Sequence, residues 1–239
     1  SNGTPLFVAT KFNCLAELSP TDSFQPVWTP PWIDRISAED RCHLNGLAMR
    51  GDSPAYVSAV ARTNVAGAWR EHKRDGGVIL DVESGEPVVT GLTMPHSPRL
   101  HGDKLWMIQS GTGEFGHVDM SDGVFRPLCF LQGFARGLAF VGDHAVIGVS
   151  RPRRDKTFEG LALNERLADE GVSAKCYIAV VRLETGDVEH TLEMEGAVQE
   201  LYDVQLIPGI RRPQALGFRT PEIGFKIRPG RFPPPEHVA

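Results

Sequence analysis

The chain has 239 residues, 41% hydrophobic and 23% charged, with a net charge of −5 at pH 7. These are ordinary values for a globular protein, and the acidic balance argues against a nucleic-acid-binding surface. No stretch approaches the roughly 20 apolar residues of a membrane helix, and the opening SNGTPLFVAT is not a signal peptide. The expectation is a cytoplasmic protein with neither membrane nor nucleic acid as partner.

Helical periodicity is nearly absent. Short alternating or apolar runs recur instead, bounded by Gly, Asp, Ser and Pro. PLFVAT, FNCLAELS and FQPVWTP come first and read as the last three strands of a unit. The next unit holds four strands, at 43–49, 55–61, 77–85 and 87–92. A second follows at 97–102, 104–111, 114–123 and 124–131, and a third at 135–142, 144–151, 176–186 and 187–196. Two more strands are expected at 200–209 and 212–220. The third strands end alike, in DVESG, DMSDG and RLETG, where glycine supplies the positive φ of a tight hairpin.

From Ser97 to Arg136 the pattern repeats after 39 residues, close to the roughly 40 of a propeller blade. The other intervals are lengthened by inserts at 62–75 and 152–174, each between a second and a third strand. LALNERLADE, inside the later insert, predicts a short helix. The sequence therefore predicts an all-β fold, a β-propeller of four-stranded antiparallel blades, four to six when complete. It would span residues 1–225 with a Pro-rich tail at 226–239. An irregular β-sandwich is the alternative.

The four cysteines are scattered without a CxxC pair, so neither a zinc knuckle nor a disulfide framework is indicated. Cys14, Cys129 and Cys176 lie in apolar strand-like runs and read as core. Trp28 and Trp32 read as packing at a corner between blades.

In a propeller blade the first strand lines the channel, so the segment before it and the loop between strands two and three share one face. The segments before the first strands are polar: Asp40 to Asn45, Pro95 to Arg99, Ala135 to Gly137 and Gln199 to Asp203. Both inserts fall on that face and would wall it with Trp69, Arg70, His72, Arg151 and Arg153. Convergent polar groups in a partly covered concavity outline a ligand pocket.

His43, His96 and Glu200 offer the donors that hold zinc, iron or manganese, and a divalent metal is the candidate cofactor. The same three are the candidate acid/base groups. The structural alternative is that the histidines bond backbone carbonyls and tie blades together. Asn45, Arg99, Glu114, Arg136 and Asp203 are the candidate substrate-binding residues. Arg99 and Arg136 could clamp a carboxylate or phosphate, or could pair with Glu200, Asp203 or Glu114.

The run from FNCLAELS through PPWIDRISAEDRCHLNGLAMRGDSPAYVSAV, GLTMPHSPRLHGDKLWMIQSGTGEFGHVD, GFARGLAFVGDHAVIGVSRPR and VQELYDVQLIPGIRRPQALGF resembles a bacterial family of conserved hypothetical proteins, a domain of unknown function. The resemblance runs from about residue 5 to 225. It implies a propeller-like fold and brings no established activity. It also implies that an N-terminal portion of the family pattern precedes what is present here. Two functions follow as expectations: a ligand-binding propeller acting as a metal-assisted enzyme on a small molecule or peptide, or a non-catalytic protein-interaction scaffold. Self-association, or a missing portion that completes the ring, joins the expected partners.

Overall fold

The computed structural model of the chain describes residues 3–151, 159–213 and 221. Two compact units are present, residues 1–206 and residues 207–239. The first unit contains the sheets.

Its strands are β1 (Leu6–Ala9), β2 (Cys14–Glu17), β3 (Gln25–Trp28), β4 (Leu44–Arg50), β5 (Ser53–Ala59), β6 (Gly77–Asp81) and β7 (Pro87–Leu92). They continue with β8 (Pro95–His101), β9 (Lys104–Gln109), β10 (Glu114–Asp119) and β11 (Val124–Phe130). The last are β12 (Phe134–Val141), β13 (His144–Ser150), β14 (Tyr177–Arg182) and β15 (Val188–Glu193). They form one three-stranded and three four-stranded antiparallel sheets, each in chain order. This is the β-propeller blade arrangement. The one α-helix of the described residues, α1 (Ala162–Asp169), lies in the later insert as LALNERLADE predicts.

The first strands of the full blades stand side by side, with β8 between β4 and β12. β1 lies against β4 as β5 lies against β8. The β1–β2 turn also bonds the segment before β4, through Asp40 N–H to the Lys11 carbonyl. The opening three strands therefore hold the second, third and fourth blade positions.

Alternation along each strand packs blade on blade. Leu15, Leu44, Val57 and Leu80 fill the first gap, with Trp28 and Trp32 half-buried against them. Tyr56, Ile79, Leu105 and Met107 fill the second, and Phe115, Leu138, Ile147 and Tyr177 the third. A fourth apolar cluster sits at one end. There Trp69 of the first insert meets Met94, Phe134, and Leu163 and Leu167 of α1. The inserts thus cover that end by burying their own apolar side chains.

One expected strand is not formed. Residues 200–207 carry no sheet pairing. Leu201 is instead held by side chains: its carbonyl accepts from Arg136 Nε at 3.0 Å and Ser150 Oγ at 3.2 Å, and its N–H donates to Ser150 Oγ at 2.8 Å. Side-chain bonds take the backbone groups that a ladder would need. The segment runs so close to β12 that a Cβ on Gly137, whose φ is +82°, would sit 2.6 Å from Val204 N. The strand expected at 212–220 falls almost wholly outside the described residues, as do Arg153 and the tail at 226–239.

Candidate functional site

The covered end, here called the mouth, gathers the segments that lead into β4, β8 and β12. Among the described residues five non-glycine residues have positive φ: Asn13, Asp40, His43, Met94 and Ser97, between 45° and 58°. All lie at this end, in the β1–β2 turn and the approaches to β4 and β8. Such conformations cost on the order of 1 kcal/mol or more and cluster at functional sites.

Asp40 and His43 form the centre of this geometry. The Asp40 backbone is pinned from two sides, its N–H to Lys11 and its carbonyl to Gly67 N. Its carboxylate lies 3.0 Å from His43 Nδ1 and accepts from Trp69 Nε1, also at 3.0 Å. A carboxylate only accepts, so His43 carries a hydrogen on Nδ1, and Nε2 is the nitrogen left to exchange a proton with a ligand. The ring stacks on Trp69 with centroids 4.2 Å apart, and the His43 side chain keeps 25% of its surface exposed.

The loop that delivers Asp40 is braced from below. Arg41 is buried, yet its guanidinium holds Asp34 and Glu39, each at 2.6 Å, and the Asn64 carbonyl oxygen at 2.6 Å. These hydrogen bonds hold both carboxyls below their usual range. Asn13 accepts from the N–H groups of Arg41 and Cys42 at 2.8 and 3.0 Å. Cys42 is fully buried, and desolvation pushes its thiol up to about 12, so it is no nucleophile.

His96, at the start of β8, is 8% exposed and packs edge-on against Phe134 at 5.6 Å. Neither ring nitrogen has a hydrogen-bond partner among the described residues. Burial pushes its pKa down to about 3, and the charges of His43 and Arg136 push the same way. His96 is therefore neutral at ordinary pH.

The remaining expected residues divide. Asn45 ties two inner strands together, donating to the Pro95 carbonyl at 3.0 Å and accepting from Ser58 Oγ at 2.6 Å. Arg136 forms an ion pair with Glu200 and lies 5.0 Å from the centre of the Tyr202 ring. Arg99 donates to the Leu47 carbonyl at 3.0 Å, and its pKa is lowered by burial against the opposing charge of Asp203. Glu114 accepts from Thr112 at 2.9 Å and lies 3.5 Å from Arg166 of α1. Among the described residues no three His, Cys, Asp or Glu side chains gather as metal ligands, so His43, His96 and Glu200 are not assembled as one set. Glu200 is turned to Arg136 and His43 Nδ1 to Asp40.

Asp40 and Trp69 belong to the site more closely than sequence reading indicates. The signal was an aspartate three residues before a histidine, and its meaning depends on both residues being left-handed.

The family described as Domain of unknown function (DUF4915) matches residues 1–216. The chain belongs to that family. No curated protein matches this DUF4915 chain. Among solved structures it is similar to a protein of unknown function from Bacteroides caccae, at 15% identity and a TM-score of 0.47, covering 87% of this chain and 64% of that one. An auxiliary nutrient binding protein from Bacteroides thetaiotaomicron matches at 11% identity and 0.46, covering 81% and 39%. The computationally designed Ika8 protein matches at 14% and 0.41, covering 84% and 52%. The chain thus spans less than two thirds of each of these. No activity follows from likeness at this level.

Proposed function

We propose that the mouth binds a small polar molecule and transfers a proton on it, with His43 as the base. Nε2 of His43 would take a proton from an O–H or N–H of the ligand, and Asp40 would stabilise the resulting imidazolium. His96, neutral and buried, would hold the ligand by a hydrogen bond through a ring nitrogen. Arg136 and Glu200 would flank it.

The observation that carries this reading is His43: its ring is oriented by the Asp40 carboxylate at 3.0 Å and stacked on Trp69 at 4.2 Å, while a quarter of the side chain stays exposed. The metal-assisted version is less well supported, because Glu200 is committed to Arg136.

Ligand-observed NMR against a collection of small hydroxy, keto and carboxylate compounds tests it, using the wild type, His43→Ala and His96→Phe. Binders should weaken at least about tenfold in both variants, equivalent to about 1.4 kcal/mol. Compounds that bind all three proteins equally would contradict it, as would a wild type that binds none. The scaffold reading draws on a different surface, the outer edge of β15.

A further inference from the structure

Each blade ends in an outermost strand whose far side has no partner strand among the described residues: β3, β7, β11 and β15. Such edges invite pairing with another chain, and proline or bulky charge is the usual guard. β3 carries Pro26, β7 Pro87 and β11 Pro127. β15, with the sequence VEHTLE, carries no proline, and its only charged guards are Glu189 and Glu193. All six of its residues are exposed, including Val188 at 40% and Leu192 at 60%.

A cavity of about 320 Å³ opens beside this strand. Phe130, Val172, Tyr177 and Val188 give it apolar walls, and its charged lining is Glu170, paired with Arg166, and Glu193, paired with Lys175, which also lines it. The register puts Val188, Thr191 and Glu193 opposite Val181, Ala179 and Tyr177, so they share the face that looks onto the cavity. A strand added to β15 would send alternate side chains over that same face.

Charge selects the occupant. Residues 187–195, DVEHTLEME, hold four carboxylates and no Lys or Arg. Within β14 and just before it, Arg182 answers Glu189 and Lys175 answers Glu193. Asp187 and Glu195 face solvent with no cation within ion-pair distance among the described residues. Two copies of the chain paired here would bring both acidic sets together.

We propose that β15 accepts an extended basic segment of a partner protein as an added strand, with alternate apolar side chains seated in the cavity. This is independent of the proton-transfer reading of the mouth.

The test is fluorescence anisotropy with labelled nine-residue peptides that alternate Lys with Val, Leu or Phe. At least one should bind in the micromolar range. Replacing its Lys by Glu should weaken it at least about tenfold, and N-methylating alternate peptide nitrogens should abolish binding, because strand addition needs those N–H groups. The surface variant Glu193→Gln/Glu195→Gln should lose about tenfold in the same assay. Failure of all three Lys peptides would overturn the proposal. So would binding that survives N-methylation, which would mean charge attraction alone. A wild type that is dimeric by light scattering and becomes monomeric on Thr191→Pro would name a second copy as the occupant and overturn it as well.

Discussion

The two ends of the blades solve the same problem differently. At the end away from the mouth, the hairpins of the three full blades turn on Gly51, Gly85, Gly102, Gly123, Gly142 and Gly186, each with φ between 57° and 80°. Aspartate side chains close two of these turns, Asp81 onto Ser84 N–H at 2.8 Å and Asp119 onto Ser121 N–H at 3.0 Å. Nothing there is strained. At the mouth, Asn13, Asp40, His43, Met94 and Ser97 adopt the same left-handed backbone with side chains attached. Glycine serves the mouth as well, at Gly67, Gly113 and Gly137, so these five positions are the ones where a side chain is kept despite the backbone cost.

The largest expected effect comes from removing the platform at the mouth. Trp69→Ala should cost about 3–5 kcal/mol in urea unfolding, as for other buried aromatic truncations, and should free His43 from its stack. A variant as stable as the wild type would show that the insert does not roof the site.

The pH dependence of stability sharpens the contrast next. The folded pKa of His96, about 3, lies below its ordinary 6.5, so the unfolded chain takes up that proton first. The stability from keeping His96 neutral is fully present above about pH 6.5 and falls by about 1.4 kcal/mol per pH unit below it. Between pH 6.5 and pH 5 the wild type should therefore lose about 2 kcal/mol more than His96→Gln. Equal losses in the two proteins would place His96 in contact with solvent.

Exchanging the turn chemistries comes third. Gly123→Ala should cost about 1–2 kcal/mol, since a Cβ there meets the Val88 carbonyl at 2.7 Å. Ser97→Gly should change stability by less than about 1 kcal/mol, because relief of the backbone is offset by losing the bond from Gly137 N–H to Ser97 Oγ at 2.9 Å. A large loss in Ser97→Gly would mean that the mouth is held by that bond rather than strained. Smallest of all is the cysteine response. Cys42 should resist iodoacetamide in the native protein at pH 8 and react on unfolding, and rapid native labelling would contradict its burial.

The blades were legible because each strand obeys local rules. Alternation sets its faces, and a glycine turn ends it. The mouth was legible only as a neighbourhood. His43, His96 and Arg136 could be placed at one end by counting strands, but Asp40 as the orienting carboxylate could not. Its role follows from two left-handed residues and an indole supplied 29 positions later in the chain. Glu114 has a partner that counting strands could not supply. Arg166, which pairs with it at 3.5 Å, comes from the helix of the later insert. Residues 200–207 have the composition of a strand and fail to pair because Arg136 and Ser150 take the Leu201 backbone first.

Long-range ¹H–¹⁵N correlation spectra of the histidine rings, recorded from pH 7 down to pH 4, test the site most directly. The account predicts that His96 stays neutral throughout and that His43 at pH 7 carries its hydrogen on Nδ1. A His96 that titrates near pH 6.5, or a His43 protonated on Nε2 alone, would contradict it.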